Sequence, residues 1–387
     1  MSALKDIRVF DMTRVLAGPL CTQILGDLGA DILKIEQPGV GDITRSWGPP
    51  FDDDAASAYY LSCNRNKRSL TLDFTKPEGL EIAHKLIQTS DIFVENFKTG
   101  FLTQHGLGYE AVKKIKPDII YCSITGFGQT GPYAERPGYD FQVQGLSGLM
   151  SLIGEPDGDP LRAGISISDI STGIYSALAI VTALFQRSRT GEGQYIDMSL
   201  LDSTLALMTF ASQSYLLDGK QPPRVGNGHP NIVPYGAFKA KDGFVIIAIG
   251  TQAQFEKFCR FVNREDLLSH YVNNEVRVHH RAEVVHEMNK ITAEQTVAYW
   301  IDHMEKIGVP SGPVNTLEEA FQNPQVIARG TQQTAQGVRT VASPLGLSDS
   351  PPVYSKHPPR LGEHTEEILR ELLSEVQIEE LRAKGVV

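Results

Sequence analysis

Over the first 125 residues, short and largely apolar runs alternate with longer stretches in which apolar residues recur every three or four positions. The short runs "IRVFDM" (7–12), "DILKIE" (31–36), "DIFVEN" (91–96) and "DIIYCSITG" (118–126) predict strands. "PLCTQILGDLG" (19–29), "PEGLEIAHKLIQTS" (77–90) and "YEAVKKIK" (109–116) predict helices, the first of them closed by a glycine. Strands that alternate with helices imply crossovers of one hand and a mostly parallel sheet covered on both faces. Ligands collect beyond the carboxyl ends of such strands. Those ends are "TRVLAGP" (13–19), "QPGVGDITR" (37–45), "NFKTG" (96–100) and "GFGQTGP" (126–132).

A second apolar pattern starts at Ile170, where Ile174, Ala177, Leu178, Val181, Leu184 and Phe185 mark the buried face of a long helix. One more strand and helix follow in 193–217, completing a large α/β domain over 1–217. The Pro-, Gly- and Asn-dense stretch 218–234 reads as a linker. "FKAKDGFVIIAIG" (238–250) predicts a hairpin turning at Lys241-Asp242-Gly243, and helical stretches after it complete a small α+β domain over 235–320. Residues 321–364 include a Pro-rich, extended strap, and 365–387 predict helices with a polar outer face.

Composition narrows the function classes. A formal charge of −10 argues against a nucleic-acid partner, which normally meets a basic patch. No run approaches the ~18 consecutive apolar residues of a membrane span, and "MSALKDIRVFDM" lacks the features of a targeting segment. A cytoplasmic location is the expectation. Cys21, Cys63, Cys122 and Cys259 are scattered without a C-x-x-C pair, and the histidines lack ligand spacing, so neither a disulfide frame nor a metal site is expected.

Two motifs invite chemistry. Gly126, Gly128 and Gly131 form G-x-G-x-x-G, but prolines 132 and 137 follow closely and no strand with a terminal acid comes next, which argues against a dinucleotide site. Asp169, in "SISDIS", stands where the long helix begins. Such an acid is either a cap for unpaired helix N–H groups or a nucleophile held at a helix end that favours its anion by roughly 0.3–1 kcal/mol. Its neighbours Ser168, Ser171, Thr172 and Gly173 are small enough to admit a bulky reactant.

The ordered blocks "DMTRVLAGPLCTQILGDLGADILKIEQPGVGDITR" (11–45), "NRNKRSLTLD" (64–73), "VENFKTG" (94–100), "CSITGFGQTGPYAERPGYD" (122–140), "GISISDISTGIYSALAI" (164–180) and "GVPSGPVN" (308–315) span nearly the whole chain. Together they resemble the class III CoA-transferases, the group of formyl-CoA transferase, and within it the enzymes that move CoA between succinate and glutarate. The resemblance implies a Rossmann-like large domain built from both chain ends, a small α+β domain, and two chains interlocked like links as a homodimer. It implies CoA thioesters and free carboxylic acids as substrates, with no permanently bound cofactor. The aspartate matching Asp169 is the covalent nucleophile in that family, Tyr139 supplies a hydroxyl beside it, and Gly250 falls where relatives carry a glycine-rich lid. The CoA-binding positions carried over are Val15, Ala17, Asn96, Phe97, Lys98, Gly100 and Arg136. Arg65 and Arg277 are the candidate partners for the distal carboxylate of a dicarboxylate, since arginine pairs with carboxylates bidentately. Two other readings stay open on the same scaffold: an α-methylacyl-CoA racemase, disfavoured because Tyr139 stands where racemases place histidine, and a silent acyl-CoA-binding protein.

Overall fold

The computed structural model describes residues 2–387. The chain divides into two compact units. The larger comprises 1–147, 164–209 and 324–387, and the smaller 148–163 and 210–323. The boundaries differ from the expected ones in two ways. An excursion at 148–163 interrupts the larger unit, and the chain leaves that unit after Thr209, inside the expected helical segment rather than at the Pro/Gly-rich stretch.

Six strands, β1 (Arg8–Asp11), β2 (Asp31–Glu36), β3 (Lys67–Thr71), β4 (Ile92–Glu95), β5 (Ile120–Thr125) and β6 (Tyr195–Ser199), form the larger unit's sheet. All neighbours are parallel, in the order 3-2-1-4-5-6. The order reverses between β1 and β4, which makes their carboxyl ends the switch point where doubly wound sheets hold ligands. Because side chains alternate across a strand, Phe10, Met12, Leu33 and Phe93 enter one core, which is closed by Ile368, Leu369, Ile378 and Leu381 from the chain's last helices. Val9, Ile32, Ile92 and Val94 enter the other, against helices Ala17–Asp27 and Ile167–Thr190.

Helix Ile167–Thr190 spans 24 residues and contains a window long and apolar enough to cross a bilayer. It contains no unbroken apolar run, because Ser, Thr and Gly interrupt the sequence. Here its buried residues, among them Gly173, Ala177, Ile180 and Ala183, face the domain core. A Cβ at Gly173 would come within 2.6 Å of the Ala17 carbonyl oxygen, so glycine is what lets the first turns of the two helices touch. Its opposite stripe, Ile174, Leu178 and Phe185, is more than half exposed.

In the smaller unit, β7 (Gly228–His229), β8 (Ile232–Lys239), β9 (Phe244–Ala248) and β10 (Ser311–Pro313) form an antiparallel sheet in the order 10-9-8-7. Its core packs Phe238, Val245 and Ile247 against Phe258, Met288 and Trp300 of the helices.

Candidate active site

The loop after β1 makes one wall of a cavity at the switch point. Asp11, the last residue of β1, accepts hydrogen bonds from the Thr13 amide and hydroxyl (2.9 and 2.6 Å) and turns the chain out of the sheet. Val15 follows at φ +72°, a left-handed conformation that β-branched residues rarely adopt. The Asn96 side chain, beyond β4, accepts from the Arg14 amide (2.9 Å) and donates to its carbonyl (2.7 Å), stitching the two loops across the crevice. The cavity they border has a volume of about 320 Å³.

Asp169 opens onto the same cavity. The helix that carries it starts at Ile167, three residues before the expected onset, so Asp169 lies in the first turn and is not its cap. The capping is done by a second acid. Asp140 Oδ1 accepts from the amides of Ser168 (2.8 Å) and Asp169 (3.4 Å), while its Oδ2 accepts from Gln144 (2.7 Å). This inverts the expected electrostatics. The helix end was expected to favour an anionic Asp169, but burial and the Asp140 charge push its carboxyl up to about 7. Burial and the charge of Asp169 likewise push the Tyr59 phenol up to about 12, keeping that hydroxyl protonated at neutral pH.

A family model for CoA-transferase family III matches residues 4–365. The chain belongs to that family. A relative from Agrobacterium fabrum called succinate–glutarate CoA-transferase is 44% identical over 95% of both chains. The mouse protein called succinyl-CoA:glutarate CoA-transferase is 43% identical over the whole of this chain and 91% of its own. Among solved structures, a CAIB/BAIF family protein from Brucella suis superposes with a TM-score of 0.88 at 44% identity, covering 96% of this chain and all of that one. The protein is therefore a CoA-transferase, with CoA thioesters and carboxylic acids as its substrate classes.

In this family III fold, the cavity gathers most of the residues singled out from sequence. Val15, Ala17, Asn96, Phe97, Lys98, Arg136, Tyr139 and Asp169 all line it. Gly100, at φ +82°, lies beside it in a neighbouring cleft of about 520 Å³. Two candidates are committed elsewhere. Arg65 is buried against Asp27 in a bidentate pair (2.9 and 2.6 Å), with its third nitrogen on Thr340 (2.8 Å). Arg277 is 2% exposed, donates to the Val233 and Tyr271 carbonyls and to Gln252, and lies over the Phe255 ring. Both guanidinium groups are buried and already hydrogen-bonded within their own units, which marks them as structural. Gly250 belongs to the smaller unit, where its amide donates to Gln254 Oε1 (3.0 Å) just before helix Gln252–Phe261. As the motif reading required, no helix directly follows Gly126–Gly131; the next begins at Asp140.

Three functional candidates escaped the sequence reading: Arg14, Tyr59 and Asp140. Arg14 lines the cavity with its guanidinium 4.5 Å from the Phe97 ring centroid. Arg136 lies 3.9 Å from that of Tyr133. Among the described residues, neither these two arginines nor Lys98 has an ion-pair partner, which leaves three cations at the cavity for an anionic ligand. The signal for Arg14 was in "TRVLAGP", where a cation directly follows a strand's carboxyl end.

Proposed function

We propose that the chain moves CoA from succinyl-CoA to a dicarboxylate such as glutarate through covalent intermediates on Asp169. The observation that carries this reading is a carboxylate with no ion-pair partner among the described residues, opening onto the switch-point cavity of a CoA-transferase. In the first step an Asp169 oxygen attacks the thioester carbonyl, the C–S bond breaks, and CoA leaves as a thiolate from a mixed anhydride. The thiolate then attacks the aspartyl carbonyl, releasing the free acid and leaving an aspartyl–CoA thioester. The acceptor acid repeats both exchanges in reverse and departs as the new acyl-CoA. Covalent catalysis thus replaces one hard displacement by several easier ones.

A carboxyl near 7 suits this role: it is more basic than an ordinary aspartate, yet half ionised near neutral pH. The preference for a dicarboxylate is supported by the names of the relatives and by the cations Arg14, Lys98 and Arg136, which can serve CoA phosphates and a second carboxylate. Among the described residues no histidine lines the cavity, so a racemase would lack its usual imidazole base here. The exposed apolar stripe of helix Ile167–Thr190, with Ile174, Leu178 and Phe185 each more than half exposed, supports assembly with a second copy, in line with an interlocked homodimer.

The deciding experiment is Asp169→Ala assayed with succinyl-CoA and glutarate. Transfer is expected to fall by at least 10⁴-fold, the order of loss when a covalent nucleophile is removed, with the circular dichroism spectrum unchanged. Hydroxylamine trapping during turnover should label Asp169 in the parent. Near-parental turnover of the variant, or label elsewhere, would falsify the mechanism.

A further inference from the structure

Beneath the β1 loop, away from Asp169, lies an ion pair that the transfer chemistry does not use. Lys34 and Asp42 are both fully buried, 3.1 Å apart. Replacing a buried pair by apolar residues is often neutral or stabilising, so its presence calls for another explanation. Its hydrogen bonds supply one. Lys34 Nζ donates to the Thr13 carbonyl (2.9 Å), and Asp42 Oδ1 accepts from the Val15 amide (3.3 Å). Asp42 is itself held by the Thr44 amide and hydroxyl (3.1 and 2.8 Å), and its own amide donates to Glu36 (2.9 Å). Both members of the pair therefore grip the two sides of Arg14, and the residue they grip most directly, Val15, is the one in a left-handed conformation.

A valine at φ +72° is strained and persists only where its surroundings over-determine it. We infer that Asp42, aligned by Lys34, is a positioning residue for the transfer reaction: it holds Val15 left-handed so that the 14–17 backbone stays a fixed wall facing Asp169. The inference rests on the reading of this cavity as the site of transfer. A rigid wall matters because a displacement of about 1 Å at a reacting centre costs on the order of 10²-fold in rate. In the buried pair the aspartate carries the function, since its oxygen accepts the strained residue's amide, and the lysine keeps that oxygen in place.

A double-mutant cycle tests the idea, because glycine adopts φ > 0 without help. Asp42→Ala, which removes the oxygen that accepts from the Val15 amide, should lower kcat for succinyl-CoA-to-glutarate transfer about tenfold. In the Val15→Gly background the same substitution should change kcat less than twofold. A merely structural Asp42 would give equal losses in both backgrounds, and that result overturns the proposal, as does full activity of Asp42→Ala alone. If Asp42→Ala does not fold, Lys34→Met/Asp42→Ala, which leaves no lone buried charge, replaces it in the same cycle. Asp169→Ala run in parallel separates the two ideas. If it retains activity, the cavity reading fails; if it is inactive while the cycle shows no coupling, only the positioning role fails.

Discussion

The carboxyl ends of β1 to β3 and the mouth of helix Ile167–Thr190 both bury carboxylates, and they treat them in opposite ways. Under β1 to β3 the acids have cationic neighbours: Asp42 has Lys34, Glu36 has Arg45 (2.7 Å) and Asp11 has Lys67 (3.3 Å). Burial alone would raise Glu36 and Asp42, but the nearby cations and hydrogen-bond donors outweigh it and hold both below the usual carboxylate range. At the helix mouth two carboxylates meet with no cation between them, and Asp169 is pushed up to about 7. Paired acids hold a wall still, whereas an acid denied a partner is stored in a reactive state. The contrast is one of sign, so pH can break it.

The largest effect concerns stability. Asp169 has a folded value near 7 against ~3.9 in the unfolded chain, so between those values the folded state binds more protons than the unfolded one. Its contribution to stability therefore declines as pH rises from about 4 to about 7 and stays low above that. Asp169→Asn escapes the decline. Its melting temperature should equal the parent's near pH 4 and exceed it at pH 8, by about 1 °C for each kcal/mol recovered in a chain of this size. Glu36 and Asp42 behave oppositely: their lowered values stabilise the fold above about pH 4, and that contribution is lost as pH falls. A melting-temperature gap that does not change with pH would show that Asp169 is not a strained acid.

Much of this comparison was hidden in the sequence, for identifiable reasons. The period-two and period-three-to-four patterns disclosed the strands and helices because they are local, and the order of strand ends pointed to the loops that line the cavity. What remained hidden depends on distant partners. Arg65 reads as a free cation until Asp27, 38 residues away, is folded against it. Asp140 caps a helix 28 residues downstream, so nothing near "SISDIS" announced that the cap was already supplied. The onset of that helix and the role of Asp140 hang on that single long-range contact, whereas the direction of the Asp169 shift depends first on burial and then on the Asp140 charge. The left-handed conformation of Val15 carries no sequence signal, since valine is the wrong residue for it.

A smaller effect isolates the Asp140 charge. Asp140→Asn keeps an oxygen for the Ser168 amide but removes the negative charge beside Asp169. The acid limb of the pH profile of kcat/KM, expected near 7 in the parent, should move to lower pH. Stability should fall by roughly 0.3–1 kcal/mol, the value of an anion at a helix N-terminus. An unmoved acid limb would assign the whole Asp169 shift to burial.

Two single-hydroxyl truncations test how far the mouth of the helix is a place of unmet polar groups. The Ser168 hydroxyl is buried and has no hydrogen-bond partner among the described residues, directly beside the proposed nucleophile. Its backbone amide, in contrast, is bonded to Asp140, and alanine would keep that bond. A buried hydroxyl without a partner costs about 1–3 kcal/mol of desolvation, so Ser168→Ala should raise stability by about 1 kcal/mol in urea denaturation with an unchanged m-value. In the paired region the same kind of truncation should do the opposite. Thr44→Ala removes a hydroxyl that donates to Asp42 at 2.8 Å, leaves that carboxylate short of a donor, and should destabilise by about 1–3 kcal/mol. If both alanines shift stability in the same direction, the difference between a satisfied wall and an unsatisfied mouth does not hold at the level of single hydroxyls.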